Sequence, residues 1–175
     1  MVEIKHCSKD SDFSSAILIT KDYIRWLNMD LSFQDIDNEL SNFPSMYGPP
    51  NGLFLLAWHR DELAGGVGLR MIEHKVCEMK RLFVYDQFKS KGVGRSLCKA
   101  LIQEAKNMGY EKMRLDTLER MKAAIRLYES LGFEEIEPYR FNPDPTTKYM
   151  ELSLSDSTNN AMYTDRSSAA LHSRQ

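Results

Sequence analysis

No apolar run in the 175-residue chain approaches the ~20 residues needed to cross a bilayer. Its opening residues, MVEIKHCSKD, lack the basic-then-apolar pattern of a secretory leader. A cytoplasmic protein without membrane contact is therefore expected. Cys7, Cys77 and Cys98 are odd in number, widely spaced and form no CxxC pair, which argues against a disulfide framework. His6, His59, His74 and His172 share no spacing with them or with one another, so no metal site is expected. There is also no excess of one charge. The 23 Lys and Arg are balanced by 25 Asp and Glu for a net charge of −2, which excludes a global field that would steer the chain to nucleic acid.

What is present suits one compact domain, since 42% hydrophobic residues suffice for a single core at this length. Val2 to Lys5 reads as a strand. Asp10 or Ser11 then caps a helix whose apolar residues Phe13, Ala16, Ile17, Ile24 and Leu27 recur at helical spacing. A second helix is expected from Ser32, with Phe33, Ile36, Leu40 and Phe43 on its apolar side, ended by PSMYGPPNG. Leu53 to His59, Leu63 to Met71 and Cys77 to Val84 read as three consecutive antiparallel strands joined by short polar turns. Val93, Leu97, Leu101, Ala105 and Met108 predict a helix from Gly92 that stops at Gly109. A strand (112–116), a helix (121–131), a short strand from Phe133, a proline-punctuated loop and a last strand (148–154) complete the pattern. The strands on either side of the Gly92 helix should be parallel. Residues 1–154 form the expected domain, and 155–175 read as a polar, serine-rich, flexible tail.

The stretch KSKGVGRSL carries the chemistry. Gly92 and Gly94 open a helix, whose first backbone N–H groups lack intrahelical partners and attract anions. Lys89, Lys91 and Arg95 add countercharge suited to a pyrophosphate. A Rossmann fingerprint would need glycine at Leu97, and the Walker GxxxxGK[ST] pattern is absent.

This segment resembles the acetyl-CoA signature of the GNAT superfamily of N-acetyltransferases, [Q/R]xxGx[G/A], with Lys89 standing where that family prefers Gln or Arg. Downstream, AAIRLYESLGF is similar to the family's AxxLYxxLGF segment, and PYRFNP with YMEL resembles the ending of a bacterial-type subset. The resemblance covers about residues 1–154. It implies an α/β (α+β) fold: a mixed central sheet of about seven strands with helices on both faces, ordered strand, two helices, three strands, helix, strand, helix, two strands.

The resemblance further implies acetyl-CoA as co-substrate and a primary amine, expected to be that of a small molecule, as acceptor. Pantetheine would lie between diverging strands at Leu82, Phe83 and Val84 on one side and Asp116 to Leu118, Thr117 among them, on the other. The pyrophosphate would lie on Lys89, Ser90, Lys91, Gly92, Val93, Gly94, Arg95 and Ser96, with Met121 and Ala124 also touching the cofactor. Tyr128 corresponds to the family's general acid, and Glu78 to a glutamate base in the members that use one. Met121 replaces an asparagine that contacts the cofactor in many members. Tyr23, Trp26, Tyr47, Tyr139 and Arg140 are expected to wall the acceptor pocket, and Lys80 or Arg81 to hold a substrate carboxylate. A homodimer through the final strands or the tail follows from family habit. The alternative reading of the same fold is a non-catalytic acyl-CoA-binding or regulatory domain, and a nucleotide-binding or RNA-binding module stands last.

Overall fold

The computed structural model describes residues 1–155. The expected tail lies outside the described residues, apart from Ser155. Seven strands form one sheet: β1 (Val2–His6), β2 (Leu53–His59), β3 (Glu62–Glu73), β4 (Val76–Val84), β5 (Lys112–Leu118), β6 (Glu134–Ile136) and β7 (Thr147–Ser153). Their spatial order is β1-β2-β3-β4-β5-β7-β6, and every neighbouring pair is antiparallel except β4–β5. Among the described residues no helix is long and apolar enough to cross a membrane.

Helices cover both faces, which is why β2 reads LFLLAWH with hardly a polar residue. Phe54 and Leu56 pack with Ala16 and Ile19 of α1 (Asp10–Leu27), while Leu55 and Ala57 pack with Val93, Leu97 and Leu101 of α4 (Val93–Asn107). The α1 cap differs from expectation. Asp12, not Asp10 or Ser11, accepts the backbone N–H groups of Ser8 and Lys9 at 3.0 and 3.2 Å.

The second expected helix is broken into pieces. Asp35 adopts a left-handed conformation (φ 52°) between a 3₁₀ turn at Ser32–Gln34 and α2 (Ile36–Ser41), and Pro44 begins a separate turn, α3 (Phe43–Met46). The breaks let Phe43 and Tyr47 turn into the core beneath β3. There Gly68 makes room for the Tyr47 ring: a Cβ on Gly68 would lie 2.6 Å from Tyr47 Cε1.

Two features of β4 shape the cleft at its C-terminal end. The strand pairs with β5 only at Val76–Lys112, Cys77–Met113 and Glu78–Arg114, after which the two part. On its other side, Phe83 faces Gly66 and Lys80 faces Gly68, so Arg81 and Leu82 together oppose one residue of β3. Arg81 occupies the left-handed region of this bulge (φ 60°), a conformation costing on the order of 1 kcal/mol in a residue with a Cβ. Its guanidinium meets Glu39 of α2 through Nε–H at 3.1 Å and an NH₂ group at 2.5 Å, and Tyr47 donates its hydroxyl to the same carboxylate.

Removing one member of this buried group strands the other. Arg81→Met is expected to cost about 3–5 kcal/mol in urea unfolding at pH 7, with the double variant Glu39→Met/Arg81→Met recovering more than half. Burial alone would raise the Glu39 carboxyl, but the Arg81 hydrogen bonds and charge outweigh it and hold the group below its ordinary value. The Glu39 contribution is therefore present above the ordinary carboxylate range and lost as pH falls through the native value. Urea midpoints of the wild type should show this acid loss, and those of Arg81→Met should not.

Candidate active site

Where β4 and β5 part they leave a cleft of about 740 Å³. One wall is Leu82, Phe83 and Val84. The other is Asp116, Thr117 and Leu118, with Met121, Ala124, Leu127 and Tyr128 from the entrance and body of α5 (Lys122–Ser130).

The mouth is the N-terminus of α4. Gly92 caps the helix with φ 76°, and a Cβ there would meet nothing within 4 Å, so the space before the helix is open. Ser96 donates its N–H to the Gly92 carbonyl, leaving the amides ahead of it without intrahelical acceptors. Ser90, Gly92, Val93, Gly94 and Arg95 line the cleft. Lys89 also lines it and bonds Asp86 at 2.5 Å, its ammonium 5.1 Å from the ring centre of Trp26. Arg95 donates to the Ser130 hydroxyl at 2.9 Å. Lys91 and Ser96 do not line the cleft: Lys91 lies over the Phe88 ring and Ser96 is exposed on α4.

On the α5 wall of the cleft, Tyr128 is 7% exposed and packs on Phe133. No hydrogen bond to its hydroxyl is made by a described residue, and the side chain borders the cleft. Burial, then the neighbouring Cys98, push the phenol well above its ordinary value.

Glu78, in the last β4–β5 pair before the strands part, does not line the cleft. Its side chain is 1% exposed and its carboxylate is shared by Arg70 Nε at 3.2 Å, the Tyr139 hydroxyl at 2.8 Å and the Arg140 guanidinium. It thus fastens the β6–β7 loop to β4. A carboxylate so occupied has little freedom to receive a further proton donor.

Part of the cleft wall is the segment after α1. Arg120 donates to the Leu27 carbonyl at 3.0 Å, and Leu27, Leu31 and Leu118 form an apolar cluster with Met29, Phe33 and Met121. Tyr23 and Trp26 stand at the wall as expected, their rings stacked on one another and tilted against Phe83. Tyr47 does not: it is fully buried in the α1 core, its hydroxyl on Glu39. Arg81 is committed to Glu39 and so is not free to hold a carboxylate. His6 bonds Glu104 on the surface, His59 packs beside Phe88, and neither they nor His74 line the cleft. No group of three or more metal-ligating side chains occurs among the described residues.

Two polar groups that sequence reasoning cast in another part face the cleft. Lys80 and Asp116 both line it. Burial, then the Arg81 and Arg70 charges, lower the Lys80 ammonium to about 7. The signal in the sequence was the i, i+2 spacing of Glu78 and Lys80, which puts both on one face of a strand. Asp116 was expected only as part of the far edge of the diverging strands, not as a charge beside Lys80.

Residues 20–133 match the acetyltransferase (GNAT) family model. The chain is 37% identical over 158 residues to an uncharacterized N-acetyltransferase of Schizosaccharomyces pombe, covering 88% of this chain and 96% of that one. A GNAT-family acetyltransferase from Staphylococcus aureus superposes with a TM-score of 0.73 at 20% identity, covering 89% of this chain and all of that one. A putative acetyltransferase from Salmonella typhimurium, solved with its cofactor acetyl-CoA, superposes with a TM-score of 0.65 at 20% identity, covering 89% and 95%. A cleft between parting parallel strands, a glycine-opened helix at its mouth and these likenesses lead to one conclusion: the chain belongs to the GNAT family and is an acyltransferase.

Proposed function

We propose that the protein transfers the acetyl group of acetyl-CoA to the primary amine of a small molecule, the amine nitrogen attacking the thioester directly. The observation that carries this reading is the meeting, in one cleft, of an open helix N-terminus and a buried phenol without a hydrogen-bond partner. The acetyl-CoA held by the Salmonella neighbour supports the same occupant here.

The residues present fit that occupant. The amides ahead of Ser96, with Lys89 and Arg95, would hold the pyrophosphate, each cation leaving its present partner to do so. β4 beyond Glu78 has no β5 partner, so Leu82 to Val84 can offer backbone groups to the pantetheine amides as an added strand would take them. Met121 and Ala124 pack against that arm. Backbone N–H near Phe83 would polarise the thioester carbonyl.

Tyr128 supplies the proton for the departing sulfur. An ordinary phenol (pKa ~10) already exceeds an ordinary thiol (~8.5), and burial raises Tyr128 further. It therefore stays protonated at working pH, and it yields its proton because the thiolate, desolvated in the same cleft, becomes a stronger base as well. Glu78 serves in this reading as the anchor of the β6–β7 loop.

Calorimetric titration with acetyl-CoA tests the site. One-to-one binding by the wild type, weakened about tenfold or more in Lys89→Ala/Arg95→Ala, is expected from the loss of two charge-assisted contacts. No binding to the folded wild type would end the acetyltransferase reading. Thiol release from acetyl-CoA with a panel of L-phenylalanine, phenethylamine, spermidine and glucosamine tests the reaction. With whichever amine turns over, Tyr128→Phe is expected to lower kcat by about 10²- to 10³-fold while the acetyl-CoA Kd stays within about threefold. Binding without turnover of any amine would favour the non-catalytic reading.

A further inference from the structure

The two strands that bound the cleft present two unlike faces. Side chains alternate along β4 and β5, so Cys77, Met79 and Leu115 join Tyr128 and Cys98 in the apolar core under α4. Glu78, Lys80, Arg114 and Asp116 share the opposite face, where Arg70, Tyr139 and Arg140 meet them. Lys80 and Asp116 each lie two residues past the last β4–β5 pair, one on either diverging strand.

The fold satisfies neither of them. Lys80 has an 8% exposed side chain, and its contact with Glu78 is 3.8 Å, too long for a hydrogen bond and made to a carboxylate already shared by two arginines and a tyrosine. Asp116 Oδ2 is covered from solvent without a hydrogen bond, 3.6 Å from Arg140 Nε. Arg114 is neutralised by Glu73 and Glu151, and Arg81 by Glu39. On this face of β4 and β5 three cations, Arg70, Lys80 and Arg140, are thus left around two carboxylates, Glu78 and Asp116. Lys80 is the member of that set which can shed its proton and relieve the excess.

An amine acceptor arrives as an ammonium ion and must lose a proton before its nitrogen can attack. We infer that Lys80 takes that proton, with Asp116 holding the ammonium beforehand. The inference rests on the acetyl-transfer reading of the cleft. In the step, the neutral Lys80 Nζ accepts one proton of the acceptor ammonium, and the freed lone pair forms the C–N bond at the thioester carbon. The C–S bond breaks and Tyr128 gives its proton to sulfur. A second proton shed by the nitrogen restores the phenol, and Lys80 returns its own to solvent. One proton is released for each amide formed. The groups that set the Lys80 charge are Glu78 and Arg81 on its own strand, Arg70 on β3, Glu39 on α2, Asp116 on β5 and Arg140 on the β6–β7 loop. Burial with Arg81 and Arg70 outweighs the acids, leaving the neutral amine well populated at neutral pH.

Two variants separate a base from a fixed positive charge. With the reactive amine of the panel, wild-type kcat is expected to rise with pH through about 7. Lys80→Met and Lys80→Arg should both fall about 100-fold and lose that limb, with the acetyl-CoA Kd within about threefold of wild type, since arginine cannot give up its proton at these pH values. Activity near the wild-type level in Lys80→Arg, or an unchanged limb in Lys80→Met, overturns the inference while leaving acetyl transfer intact. Binding of acetyl-CoA without turnover of any amine overturns both.

A urea titration needs no acceptor. A native value depressed from 10.5 to about 7 means that between those pH values the unfolded chain binds the extra proton. Lys80→Met should therefore exceed wild type in stability below pH 7, and the gap should close as pH rises toward 10.5. No such gap would show that the native fold tolerates the Lys80 charge, and the inference would fail on that ground alone.

Discussion

The ion pair between Arg81 and Glu39 is the constraint on which the rest of the structure depends. Arg81 sits in a left-handed bulge that a side-chain-bearing residue adopts only when held there, and the two hydrogen bonds to Glu39 do the holding. The bulge inserts a residue on the β3 side of β4, just past the point where β4 leaves β5. The bulge and the opening of the cleft thus fall side by side on β4, and the first of them is secured from α2. Glu39 lies on α2, whose short length follows from the breaks at Asp35 and Asn42, so the irregular segment after α1 is what carries the anchor to the sheet.

The same pair simplifies the electrostatics around it. Arg81 and Glu39 neutralise one another in a region where an unpaired charge would be costly. Glu78 is then left to organise Arg70, Arg140 and Tyr139. A single carboxylate cannot match so many donors, and the lysine beside it is the group whose charge is least well supported. A strand that reads EMKR thus divides its labour by position. Glu78 fastens a loop, Met79 fills the core, Lys80 faces the cleft and Arg81 keeps the bulge.

Much of this was legible in the sequence, for reasons that differ by element. The three-strand meander and the two later helices were readable because uninterrupted periodicity and glycine stops are local signals, and KSKGVGRSL marked the mouth because glycine and charge at a helix start have a direct physical meaning. The segment 32–46 was not readable as three pieces: its apolar spacing is helical, and it is broken by the left-handed Asp35 and again at Asn42, ahead of Pro44. Tyr47 looked like a pocket wall because nothing local distinguishes a ring under a glycine of β3 from one facing a ligand. The engagement of Glu78 was hidden for the same reason, since its partners Arg70, Tyr139 and Arg140 come from another strand and a loop some sixty residues on.

The two halves of the cleft differ in how sequence specifies them. On the mouth side the donors are backbone amides and the walls are apolar, so many sequences with glycine at positions 92 and 94 can build it, and a lysine at position 89 is tolerable where the family prefers another long polar side chain. On the acceptor side the floor is a set of charged side chains whose net effect turns on single residues, Lys80 and Asp116 among them. In the proposed reading, changing one of these would alter which acceptor charge is welcome without touching the helix N-terminus. A fold arranged in this way could keep its acetyl donor while its acceptor changes, because different chemistry on opposite faces of the same pair of strands would recognise the two.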